Sequence, residues 1–219
     1  MNEIITIDGP AGSGKSTISR ALAKKINFLY LDTGAMYRAV ALAAKRKGLT
    51  PDQGGRLGDL IRSMDLYFKT DEDPPKLFLA KEDISLAIRS PEMDMLASRV
   101  SAVKEVREGM SRLQRKMARG LKVVAEGRDM GTLVFPDAEH KFFLTAVPRV
   151  RAERRYRERV GRGESVSKEV VESELRKRDK NDQTRSLAPL KPAEDARIID
   201  STQLTPEQVV KEIMGHLKL

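Results

Sequence analysis

The sequence predicts an α/β fold of three layers, a parallel central sheet covered by helices on both faces, interrupted by two insertions. Three observations lead there. Short apolar segments of strand character alternate with segments of helical periodicity along most of the chain, as in a parallel sheet. The first strand and helix are joined by Gly9-Pro10-Ala11-Gly12-Ser13-Gly14-Lys15-Ser16-Thr17, which fits G-x-x-x-x-G-K-[ST] without a departure. Two stretches then break the alternation, one before and one after the central strands.

The elements follow in order. Ile4-Ile5-Thr6-Ile7 reads as a short buried strand, and Ile18, Ala21, Leu22 and Ile26 fall at helical spacing behind the glycine loop. Phe28–Asp32 is strand-like, and Met36, Ala39, Val40 and Ala43 give 35–46 an apolar stripe. The first break holds Leu66-Tyr67-Phe68-Lys69 and Lys76-Leu77-Phe78-Leu79 around an acidic Pro-Pro turn, the pattern of a hairpin or small antiparallel sheet. Ser90-Pro91 caps a long helix with apolar positions from Met93 to Met117. Lys122–Ala125, Lys141–Thr145 and Arg197–Ile199 complete the strands. Thr205-Pro206-Glu207-Gln208 opens the last helix with a capping box.

Composition removes several classes. The 219 residues suit one domain with small subdomains. No apolar run approaches a membrane span and no secretory signal opens the chain, so a cytoplasmic protein without membrane contact is expected. The absence of cysteine excludes disulfides, and two histidines cannot build a histidine metal cluster.

The net charge of +9 is concentrated in the second break, where residues 149–185 hold 13 Lys/Arg against 8 Asp/Glu. Such a run suits a nucleic-acid groove, a solvated helix whose glutamates interleave with the arginines, or a lid whose guanidinium groups clamp phosphoryl oxygens. The phosphate loop favours the lid, with Gly161-Arg162-Gly163 as a hinge or turn. In that loop the glycines let backbone N–H groups turn inward, Lys15 reaches the β- and γ-phosphates, and the Ser16 hydroxyl holds magnesium. The expected ligand of Gly9, Pro10, Ala11, Gly12, Ser13, Gly14, Lys15, Ser16 and Thr17 is therefore a nucleoside triphosphate.

Four blocks together resemble the bacterial cytidylate kinases: the phosphate loop, Leu31-Asp32-Thr33-Gly34-Ala35-Met36-Tyr37-Arg38, Glu126 to Asp137 with its Gly127-Arg128-Asp129-Met130-Gly131-Thr132 core, and Arg185-Ser186-Leu187-Ala188-Pro189-Leu190. The likeness runs end to end in order and spacing. It implies a P-loop NTPase fold with its core at 1–62, 104–148 and 186–219, a nucleoside-monophosphate-binding insertion at about 63–103 and a mobile helical lid at about 149–185. It implies ATP as donor with Mg2+, CMP or dCMP as acceptor, a monomer, and no nucleic-acid partner.

Roles also follow from the resemblance. Thr33 and Asp129 would read the cytosine amino group and Arg107 the base's O2 and N3. Arg38 and Arg128 would hold the 5′-phosphate, Ser98, Arg178 and Asp182 the ribose side, and Arg185 the monophosphate end. Lys15, Arg128, Arg154, Arg155 and Arg185 would neutralise the transferring phosphoryl group, with magnesium credited to Ser16. Family members often carry Asp where this chain has Glu126, and Ser where it has Thr33. The competing readings are a kinase for another monophosphate or hydroxylated metabolite, and a nucleic-acid-dependent ATPase. The chain's few aromatics speak against the latter, which would stack bases on them.

Overall fold

A computed structural model describes residues 3–217. They divide into two compact units, one holding residues up to Leu31 and from Gly120 onward, the other Asp32–Arg119.

The first unit is built on a five-stranded sheet. Its strands are β1 (Glu3–Asp8), β2 (Leu29–Asp32), β6 (Lys122–Gly127), β7 (His140–Thr145) and β8 (Arg197–Asp200), in the order β2-β6-β1-β7-β8. β1 pairs in parallel with β6 and β7, and β7 in parallel with β8. Strand alternation sends Ile5 and Ile7 to one face and Thr6 and Asp8 to the other. The apolar face is covered by α1 (Lys15–Ile26) and α8 (Pro206–Met214), whose Ile18, Leu22, Val209 and Ile213 join Ile5, Ile7, Val124, Phe142 and Leu144 in one core. Each such side chain contributes about 1.5–3 kcal/mol on burial. The capping box of α8 forms as expected, with Gln208 N donating to Thr205 Oγ1 at 3.3 Å and Thr205 N to Gln208 Oε1 at 2.8 Å.

Two helices, α6 (Pro148–Gly161) and α7 (Lys168–Thr184), make an antiparallel hairpin. Its interior is small: Ala152, Val171 and Leu175, flanked by Tyr156 and Val166, gather around Ala11 of the glycine loop. Arg178 and Asp182 share a face of α7 four residues apart. Arg185 stands just past the end of that helix in extended backbone.

The second unit joins α2 (Thr33–Arg46), α3 (Gly54–Ser63), α4 (Pro91–Val100) and α5 (Lys104–Ala118) to an antiparallel sheet of β3 (Leu66–Lys69), β4 (Lys76–Leu79) and β5 (Glu82–Asp83). The expected insertion boundaries near 63 and 103 fall inside this unit, because α2 packs on α4 and α3 on α5. The single long helix expected from Ser90 is in fact two. Ser101 Oγ turns back to the Ser98 carbonyl at 2.9 Å, Arg107 Nη1 donates to the Ser101 carbonyl at 3.1 Å, and Val103 is extended. A buried guanidinium thus takes a carbonyl that a continuous helix would have used.

Candidate active site

The glycine loop runs from the end of β1 into α1, whose first residue is Lys15. Gly9 has φ +153°, and a Cβ there would sit 2.1 Å from the Leu144 carbonyl oxygen. Gly12, at φ +75°, would drive a Cβ to 2.6 Å from the Arg151 carbonyl oxygen. Only glycine fits either place. The loop is also fastened from outside. Arg151, buried on α6, donates from Nη1 to the Ala11 carbonyl at 3.0 Å and from Nε to the Ala146 carbonyl at 3.1 Å, and pairs through Nη2 with Asp179 at 2.7 Å. Arg154 donates to the Ser201 carbonyl at 2.6 Å, the Ser201 hydroxyl at 2.9 Å and the Ser13 carbonyl at 3.4 Å. Arg155, one residue on, pairs with Glu158 at 2.7 Å.

Lys15 is 8 % exposed and donates to the Pro10 carbonyl at 3.2 Å. Burial, seconded by the Arg128 guanidinium and opposed by Glu126, pushes its ammonium down to about 7. A triphosphate beside it would reverse that shift, since an anion favours the charged form. Nucleotide binding at pH 8 is therefore expected to take up a large part of a proton, and progressively less as pH falls below 7, where Lys15 is already charged. Calorimetric titration with ATP in buffers of different ionisation enthalpy checks this. Equal apparent enthalpies, or an uptake that survives in Lys15→Ala, would overturn it.

Beside Lys15, the Ser16 hydroxyl donates to Glu126 Oε2 at 2.8 Å, and the Tyr30 phenol donates to Glu126 Oε1. Glu126 is buried at the end of β6. A hydroxyl and a carboxylate side by side form a hard-oxygen donor pair that fits Mg2+. Next along the chain, Arg128 Nε pairs with Asp182 Oδ2 at 2.9 Å, and Arg185 Nη1 lies 3.9 Å from Asp182 Oδ1. Burial would push Asp182 up, but Arg128, Arg178 and Arg185 together hold its carboxyl below the usual range. Three guanidinium groups around one carboxylate leave a net positive cluster. Arg185 Nε donates to the Ala188 carbonyl at 2.6 Å, and Ala188 takes φ +48°, a conformation that costs a non-glycine residue energy.

In the second unit, Asp32 caps α2 by accepting from Ala35 N at 2.7 Å, and its other oxygen lies 3.3 Å from Arg89 and 3.6 Å from Arg38. Arg38 also stands 3.6 Å from Asp94. These separations are loose enough for a better acceptor, such as a phosphate, to draw the guanidinium away. Thr33 is buried at the first position of α2. Arg107 is buried too, its guanidinium 5.8 Å from the Tyr37 ring centroid. Ser98 is on α4, its hydroxyl closed to solvent and without a hydrogen-bond partner among the described residues.

The structure thus gathers Lys15, Ser16, Arg128, Arg178, Asp182 and Arg185 in one unit, while Thr33, Arg38, Ser98 and Arg107 belong to the other. Arg154 is occupied with the loop's backbone, and Arg155 with its neighbour on α6. Arg151, Tyr30 and Arg89 escaped the sequence reading. Arg151 sits in an arginine run that spacing alone could not sort, and Tyr30 and Arg89 belong to no motif. Three further arginines of that run are internally paired: Arg157 with Glu153, Arg162 with Glu158, and Arg159 with Glu164 and Glu174.

The hairpin's anchoring also grades its motion. Amides of Arg151–Arg155 are expected to exchange slowly without nucleotide, because two arginines fasten that turn, whereas 160–167 should exchange fast and slow on adding ATP with CMP. Hydrogen exchange read by mass spectrometry decides it; uniform protection along α6, unchanged by ligands, would refute the gradient.

The model of one protein family, Cytidylate kinase, matches residues 5–219. Curated relatives named Cytidylate kinase include that of Pelotomaculum thermopropionicum, 50% identical over 97% of this chain and 95% of the relative. That of Citrifermentans bemidjiense is 46% identical over 98% and 92%, and that of Vibrio cholerae 43% identical over 98% and 96%. With a family match across almost the whole length and relatives of this identity over more than nine-tenths of both chains, the chain belongs to the cytidylate kinase family.

Proposed function

We infer that this chain transfers the γ-phosphoryl group of ATP to CMP or dCMP, giving ADP and CDP or dCDP. The observation that carries the reading is the family match over residues 5–219. Lys15, on the loop that wraps the triphosphate, and the net positive cluster of Arg128, Arg178 and Arg185 support it. A phosphate oxygen of the monophosphate attacks the γ-phosphorus in line as the bond to the β–γ bridging oxygen breaks. That oxygen is already ionised, so no general base is needed. Ser16 and Glu126 would hold Mg2+, which when bound neutralises charge on the β- and γ-phosphates.

Thr33, Arg107 and Asp129 read the base; Arg38, Arg128 and Arg185 take the monophosphate's phosphate; Ser98, Arg178 and Asp182 take its ribose side. Residues 63–103 serve monophosphate binding and 149–185 close as a lid, bringing Arg155 or a released Arg154 to the phosphates. The internal pairing of the arginine run supports a lid over a nucleic-acid groove. No helix among the described residues is long and apolar enough to cross a membrane. The enzyme works as a cytoplasmic monomer on small-molecule substrates.

The test is ADP release in a coupled assay, without nucleic acid, across CMP, dCMP, UMP and AMP. Turnover with CMP and dCMP above the others is expected. Turnover that favours another monophosphate, or that requires nucleic acid, would overturn the reading.

A further inference from the structure

Asp8 is the last residue of β1, immediately before the glycine loop, and the phosphoryl transfer described above gives it nothing to do. It is nonetheless a buried carboxylate with two specific partners. One oxygen accepts the Met130 N–H at 2.9 Å and the other the Gly131 N–H at 2.8 Å, across more than 120 residues of sequence. These donors open the wide turn 130–134, which directly follows Arg128 and Asp129.

Both ends of this bridge are rigid. The backbone of Asp8 lies between two strands, beside Gly127 on β6 and Phe143 on β7, and Gly9 behind it is pressed against the Leu144 carbonyl. On the far side the Asp129 carbonyl accepts from Leu133 N at 2.9 Å and Val134 N at 3.1 Å, and Phe135 N donates to the Met130 carbonyl at 2.7 Å. Met130 and Val134 are buried. The turn comes so close to β1 that a Cβ on Gly131 would stand 3.0 Å from Thr6 Oγ1. A side chain at this position would crowd Thr6 and Lys141.

We propose that Asp8 is a positioning residue for phosphoryl transfer: its carboxylate locks the turn behind Arg128 and Asp129 to the strand that launches the phosphate loop, fixing the acceptor-reading residues against the donor-binding ones. The arrangement persists against an opposing force. Burial, with Asp129 adding to it, pushes the Asp8 carboxyl up to about 7, and the two N–H bonds and Arg128 are what hold it down to that value. A carboxylate kept in such a place is matched to its two donors. An asparagine has one acceptor oxygen, and its NH2 would face the second N–H donor to donor. One amide would then lose its partner and the turn would shift.

The inference rests on the kinase reading and is tested so that the two can fail separately. Wild type, Asp8→Asn and Asp8→Glu are compared for ATP affinity by direct titration, for kcat with CMP, and for the ratio of kcat/KM between CMP and UMP. Wild type must turn over CMP, or the kinase reading itself fails. In folded Asp8→Asn, ATP affinity is expected to stay within about threefold while kcat falls about 10- to 100-fold, the cost of misplacing a reacting group. The CMP-to-UMP ratio should drop with it, because Asp129 is carried by the released turn.

Asp8→Glu keeps both acceptors but displaces them by one methylene, so it should show the same split more weakly. It is also the variant to read if the asparagine form does not fold. A folded variant with unchanged kcat and CMP-to-UMP ratio would overturn the proposal. So would a loss of ATP affinity as large as the loss of kcat, which would place Asp8's role in the loop alone.

Discussion

Lys15→Ala is expected to lower kcat by about two orders of magnitude or more while leaving the fold intact. The side chain is the one long cation of the phosphate loop, it is 8 % exposed, and among the described residues it donates to the Pro10 carbonyl at 3.2 Å. An ammonium held this way is ready to move onto phosphoryl oxygens, where charge builds in the transition state. A hundredfold loss corresponds to about 2.7 kcal/mol of lost transition-state stabilisation. Stability should not follow. Burial already pushes the ammonium down to about 7, so its removal relieves a desolvated group, and alanine suits the first turn of α1. The pair of readings therefore separates mechanism from folding: a melting temperature equal to or above wild type, together with a collapsed kcat. Near-normal kcat in the folded variant would rule out the mechanism.

Legibility in the sequence followed the range of the interactions. The glycine loop, its strand and its helix are local, and three glycines with a lysine over a few residues describe them completely. The alternation of strands and helices foretold the parallel sheet because each apolar segment is its own signal. The single long helix read from Ser90 failed because apolar periodicity carries no information about side-chain-to-backbone hydrogen bonds. Periodicity cannot see that Arg107 reaches back to the Ser101 carbonyl and ends one helix to begin another. The arginines show the same limit. Arg151, Arg154 and Arg155 are equivalent letters in one run, yet the first two fasten the loop's carbonyls and the third pairs with Glu158. Glu126 was visible as a departure from the family's usual residue. That its two oxygens take the Ser16 hydroxyl and the Tyr30 phenol depends on β6 lying between β2 and β1. Family resemblance supplied what local chemistry could not, namely an expectation of which exposed-looking charges would meet a nucleotide.

Asp129→Ala is expected to lower kcat/KM for CMP far more than for UMP. Cytosine presents an amino donor where uracil presents a carbonyl acceptor at the same place on the ring. A carboxylate answers the donor and repels the acceptor. Asp129 is 2 % exposed and sits at the head of the turn clamped by Asp8, so little water reaches it to soften a mismatch. Leaving such a buried group unpaired costs about 1–3 kcal/mol, and more when it is charged. At the upper end this is about a hundredfold in selectivity, and a site built to hydrogen-bond its substrate can reject the analogue strongly. Alanine removes the attraction for CMP and the penalty against UMP together. The loss for CMP should therefore exceed that for UMP by at least about tenfold, and UMP turnover should hold or rise. Thr33→Ala and Arg107→Ala, if they help fix the ring edge, should narrow the same ratio less. Steady-state kinetics of wild type and Asp129→Ala on both substrates decides the matter. Equal losses for CMP and UMP, or a wild-type enzyme that favours UMP, would show that Asp129 does not read the base.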